Sequence, residues 1–126
     1  MRSLDRIALA LSAIAAALAA PTALAMPRHV DVVLAPGKVH EDCFALKPGA
    51  RIQYNFTQDR PGSFNLHYHH GNDVVYPLKS DSVREQKGDF TAVVAQEYCL
   101  MWTGGKGGDT RLGYEFILVE PGLVRY

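Results

Sequence analysis

The chain has 126 residues, and its 13 Lys+Arg balance 13 Asp+Glu for a formal net charge of zero. That balance leaves no electrostatic footprint for nucleic acid. The length bounds the product to one small domain, large enough for a single core but not for two.

In chain order, residues 1–25 read as a cleavable secretory signal peptide. Arg2 and Arg6 make a positive start diluted by Asp5, and "IALALSAIAAALAA" (7–20) is an apolar run of h-region length, too short to span a bilayer comfortably. "ALA" at 23–25 is a small-x-small cleavage signature, which places the cut after Ala25. No cysteine follows the cut, so lipid attachment is not expected. The alanine-rich style is bacterial, and the expected compartment is periplasmic or extracellular. The remaining domain, 26–126, keeps 11 basic and 12 acidic side chains once Arg2, Arg6 and Asp5 are removed. It has no second apolar run of membrane-spanning length.

Period-two alternation then recurs, with no long helical pattern. "HVDVVLA" (29–35) alternates Val30, Val32 and Leu34. "ARIQYNFT" (50–57) places Ile52, Tyr54 and Phe56 on one face, and "SFNLHYH" (63–69) does the same with Phe64, Leu66 and Tyr68. "DFTAVVA" (89–95) and "YCLMWT" (98–103) are apolar on both faces, as buried strands are. "TRLGYEFILV" (110–119) alternates Leu112, Tyr114, Phe116 and Leu118. β-branched and aromatic residues suit pleated surfaces.

Turn chemistry separates these runs at "APG" (35–37), "KPGA" (47–50), "DRPG" (59–62), "HGND" (70–73) and "GGKGGD" (104–109). The polar stretch "KSDSVREQKGD" (79–89) is the longest predicted loop, with room for a helical turn. The fold class is therefore all-β, an antiparallel β-sandwich of about seven or eight short strands. The glycine loop lacks the G-x-x-x-x-G-K-[ST] order of a phosphate loop and reads as a flexible hairpin connection.

Two cysteines are present, Cys43 and Cys99. An even count in a small exported domain favours a disulfide. It would close a loop of about 57 residues, which the chain-entropy model values at about 4 kcal/mol. The competing reading is a pair of thiolate metal ligands, which the absence of C-x-x-C or C-x-x-H spacing argues against. Trp102 beside Cys99 is expected to pack on the disulfide in the core.

"FNLHYHHGND" (64–73) holds three of the five histidines. On a strand, Phe64, Leu66 and Tyr68 take the core face, and Asn65, His67 and His69 share the solvated one. Neighbouring imidazoles suit Zn²⁺, Cu²⁺ or Ni²⁺. His67 and His69 are thus candidate ligands, with His70 and Asp73 completing the set across the turn; His40 would join if its strand lay adjacent. A plain solvated strand face accounts for the same residues, as does a pH-responsive surface charging below about pH 6.5. A cupin site is one histidine short, since none follows His70. A blue-copper loop is excluded because no histidine follows Cys99 closely.

"HEDCFALKPGARIQYNF", "FNLHYHHGNDVVYPL" and "GDFTAVVAQEYCLMWTG" together resemble the GOLD-type β-sandwich of the lumenal part of emp24/p24 proteins. The resemblance covers roughly 40–120. It implies a jelly-roll-like sandwich in which Cys43 and Cys99 pair and tie the two sheets. The coiled coil, membrane helix and cytosolic tail of that family have no counterpart here, so cargo sorting is not carried over.

No G-x-S-x-G motif and no serine with an obvious base are present, and the acidic residues show no spacing that places a pair across a cleft. "NFT" (55–57) matches a glycosylation sequon, which a bacterial exported protein would not use. The sequence therefore predicts an exported, non-enzymatic binding module for a protein or small ligand, without a cofactor. The alternative is a periplasmic copper- or zinc-binding protein using His67, His69 and His70.

Overall fold

The computed structural model describes residues 14–16 and 26–120. The predicted leader lies outside the described residues apart from 14–16. Among the described residues, six strands make one antiparallel sheet: β1 (Arg28–Leu34), β2 (Val39–Leu46), β3 (Arg51–His70), β4 (Asp73–Thr91), β5 (Gln96–Thr103) and β6 (Thr110–Val119). The order is β1-β6-β3-β5-β2, with β4 on the other edge of β3. No described helix is long and apolar enough to cross a membrane.

The expected pair of short strands at 50–57 and 63–69 is one strand of 20 residues, β3. "DRPG" is not a turn but an irregularity inside it: the β3–β4 register shifts between Thr57 and Gly62 and again before Phe64. A proline cannot donate to the ladder, so it sits where the ladder is broken. Opposite this point Ser82 of β4 takes a left-handed φ of 52°, and the hairpin bends as a unit. Before the bend β3 pairs with β6, from Arg51 to Gln58. Beyond it β3 pairs with β5, from Ser63 to His67. The two arms of the curled sheet face one another, and the core fills the space between them. Trp102 of β5 stacks on Tyr114 of β6 with centroids 4.3 Å apart. Phe56 meets Phe64 at 4.7 Å, and Phe44 stacks on Phe116 at 5.5 Å.

Two separate sheets of seven or eight strands are thus replaced by one curled sheet of six. The predicted loop 79–89 is strand, with no helical turn. Its inward positions mix the apolar Val83, packed on the core, with the polar Ser80 and Gln86, which breaks the apolar alternation. The polar pair is satisfied internally: Ser80 Oγ donates to Gln86 Oε1 at 2.7 Å, and Gln86 Nε2 donates to Tyr54 Oη at 2.8 Å. The predicted strand 89–95 stops at Thr91, where Ala92 pairs with Ala50; Val93 lies 82% exposed. β5 and β6 are not a hairpin, since both flank β3. The glycine loop between them crosses from one arm to the other. A Cβ on Gly105 would stand 2.5 Å from the Pro61 carbonyl oxygen, so glycine there lets the crossover lie against the bend.

Candidate functional site

The disulfide joins Cys43 and Cys99 with an S–S distance of 2.03 Å. The two cysteines face each other directly on neighbouring antiparallel strands, β2 and β5. The bridge therefore staples strands within one sheet and does not tie two sheets together. Trp102 stands three residues from Cys99, so pleating sends it to the opposite face. It is buried among Phe56, Phe64 and Tyr114, not against the sulfurs.

The outer face around the disulfide carries the histidine stretch. His67 lies opposite Cys99 in the β3–β5 register. Contrary to a solvated strand face, both Asn65 and His67 are buried. Asn65 Oδ1 lies 2.7 Å from His67 Nδ1. On the other side of the ring, Nε2 lies 3.4 Å from Glu41 Oε1, a half-exposed carboxylate reaching over from β2. The ring also meets Tyr76 at 5.8 Å and the edge of His69 at 5.4 Å between centroids. Burial pulls the His67 pKa below its ordinary value; the Glu41 charge opposes that and His69 adds to it. Cys99 Sγ lies within 4.8 Å of ligand atoms on Glu41 and His67, but a sulfur held in a disulfide offers no thiolate.

The four sequence-predicted ligands do not converge. His67 and His69 share the outer face. His70 and Asp73 are register partners across the two-residue β3–β4 turn. Pleating puts that pair on the side of Tyr68, away from His67. Gly71 opens the turn with φ +61°, as a glycine-first hairpin turn requires. His40 is two strands away from β3 and on the inner face. Its Nε2 lies 2.9 Å from Tyr114 Oη, which in turn donates to Asp42 Oδ2 at 2.8 Å. Burial, then Asp42, push the Tyr114 pKa up. The phenol thus links β6 to β2 through two hydrogen bonds.

Glu41, Asn65 and Tyr76 are the residues that sequence reading missed here. Glu41 carried a usable signal, since it neighbours His40 and alternates with Cys43. Which strand it would face depended on a register the sequence does not display.

Two broad, open hollows lie on the outer face of the other arm. The larger, about 590 Å³, is lined in part by Asp31, Val33, Asp59 and Arg111. Asp59 Oδ1 accepts from the Arg111 backbone N–H at 2.8 Å. Exposed apolar side chains gather elsewhere. Val74, Val75 and Tyr76 flank the β3–β4 turn, and Val93 and Val94 occupy the β4–β5 connection. Tyr98 links the two groups: its hydroxyl donates to the Val94 carbonyl at 2.8 Å, and its ring packs on Tyr68, the register partner of Val75. Of the predicted turns, residues 59–62 and 104–109 meet at the bend, and 70–73 lies at the opposite end of the hairpin beside the valines.

The class so defined is a small antiparallel β fold, curled from one sheet and stapled within it. No family model matches the chain, and no curated protein matches it in sequence. In structure it is similar to PliG of Aeromonas hydrophila, a periplasmic inhibitor of g-type lysozyme, with a TM-score of 0.59, 8% identity, and 75% of this chain and 88% of that one covered. It is also similar to PliG of Salmonella Typhimurium, again a periplasmic inhibitor of g-type lysozyme. There the TM-score is 0.51 and the identity 12%, over 74% of this chain and 87% of that one. At these identities the likeness is one of fold. It overturns the resemblance to emp24/p24 proteins, whose two cysteine-tied sheets do not correspond to a disulfide inside one curled sheet.

Proposed function

We propose that this protein is an exported, non-enzymatic module that binds another protein through the end of the sheet carrying the β3–β4 turn. The observation that carries the reading is the gathering of Val74, Val75, Tyr76, Val93 and Val94 at that end, exposed while a packed aromatic core is available nearby. Exposed apolar side chains gathered at one end of a small domain point to an interaction surface. The disulfide supports an oxidising compartment, periplasmic or extracellular. The fold likeness to PliG puts a g-type lysozyme first among partners.

The test is an inhibition assay. The protein is added to a g-type lysozyme digesting peptidoglycan, beside Val93→Asp and Tyr76→Ala variants. Saturable inhibition that both variants weaken is the expected result. Inhibition unaffected by either variant would remove the turn end as the surface, and turnover of peptidoglycan by the protein alone would remove the non-enzymatic reading.

A further inference from the structure

We infer that Glu41, His67 and His69 form a site for one divalent transition-metal ion, Zn²⁺ or Cu²⁺, on the outer face beside the disulfide. His67 carries the argument. Its Nδ1 lies 2.7 Å from Asn65 Oδ1, and an amide oxygen only accepts, so Nδ1 holds the hydrogen. The other ring nitrogen, Nε2, faces Glu41 Oε1 at 3.4 Å. In the neutral imidazole it turns a lone pair towards that carboxylate, and a cation between them would be held by both; in the imidazolium it donates to the carboxylate instead. The spacing fits one: two ligands of a tetrahedral zinc ion, with bonds of about 2.0–2.1 Å, stand about 3.3–3.4 Å apart.

Two further features agree. The Asn65 oxygen fixes the tautomer and ring orientation, the part that a hydrogen-bond partner behind a ligand plays in metal sites. His69 follows His67 by two residues on the same face, with its ring edge-on to it at 5.4 Å. As an exposed side chain it is free to turn a nitrogen towards the ion. Two imidazoles and a carboxylate leave a fourth position for water. The set differs from the sequence-predicted one: Glu41 enters, and His70 and Asp73 drop out because they face the other way. It does not depend on the protein-binding proposal.

The test is calorimetric titration of Zn²⁺ into the whole protein, disulfide intact and free of any histidine tag. One saturable site of micromolar affinity or tighter is expected. Glu41→Gln and His69→Gln, both at accessible positions, should each weaken it about tenfold or more, in line with ligand-level losses. His70→Ala and Asp73→Ala should leave it unchanged. Cu²⁺ bound in the same protein should show coupling to two nitrogens by electron paramagnetic resonance, falling to one in His69→Gln. Absence of saturable binding would overturn the site and make His67 a simple donor to Glu41, with the Asn65 amide reversed. Full affinity in Glu41→Gln, or loss in His70→Ala, would overturn it equally.

Discussion

At the scale of single residues, several polar groups inside the curl bond to one another, while Gln58 Oε1, Trp102 Nε1 and Thr110 Oγ1 are buried with no hydrogen-bond partner among the described residues. Of the bonded groups Tyr114 is the clearest: it accepts from His40, donates to Asp42 and stacks on Trp102. Tyr114→Phe keeps the stack and removes both hydrogen bonds. It leaves Asp42 with Arg28 at 3.8 Å as its remaining partner. Chemical denaturation should show a loss of about 1–3 kcal/mol, the cost of leaving buried polar groups unpaired. His29 behaves in the opposite sense to a buried histidine. Its pKa is raised, first by the hydrogen bond and charge of Asp31 and then by Glu115. A raised folded value means that the stabilising contribution is complete below the unfolded value of about 6.5 and fades as pH rises through the folded one. The proton resonances of its ring should titrate above 6.5, and Asp31→Asn should bring them back towards it. A titration at or below 6.5 in the wild type would break that account.

At the scale of elements, what was legible in the sequence was what alternates with apolar residues. Ile52, Tyr54 and Phe56, then Phe64 and Leu66, were assigned to the core face, and all five are buried there. β4 was not legible, because its inward positions include Ser80 and Gln86, which bond to each other and to Tyr54. β2 was equally hidden, with His40 and Asp42 pointing inward. The continuity of β3 through Pro61 could not be read either, since a proline–glycine pair marks a turn and a strand irregularity alike. The cysteine pairing was legible from the count and compartment, though not its place within one sheet. Its removal makes an element-scale prediction. Cys43→Ala with Cys99→Ala opens a link between residues 56 apart in sequence, and should cost about 2–5 kcal/mol of stability. Denaturant unfolding with and without reductant measures it. A loss well under 1 kcal/mol would mean that the β2–β5 ladder holds without the staple.

For the molecule as a whole, the candidate site was only half visible in advance. The histidine cluster was found, but pleating and register divided it, and the partner that faces His67 came from a strand far away in sequence. The apolar end was invisible as a unit, since "DFTAVVA" reads as a buried strand until Thr91 is seen to close it. Position explains its exposure: Val93 and Val94 lie past the last ladder pair, and Val74 to Tyr76 sit beside a two-residue turn. The bend gives the molecule two unlike ends. One is tight, where Pro61 meets the glycine loop, and the other is open and apolar. Tyrosine is among the residues that carry most of the binding free energy in protein interfaces, so Tyr76 is the residue of the open end expected to contribute most to a complex.

The central claim is that the open end is a protein-binding surface, and backbone amide NMR tests it most directly. The isotope-labelled protein would be titrated with unlabelled g-type lysozyme. Shifts or broadening centred on 70–76 and 91–96, with 59–62 and 104–109 unchanged, are what this account predicts. An unperturbed spectrum at saturating lysozyme, or changes confined to the bend, would contradict it.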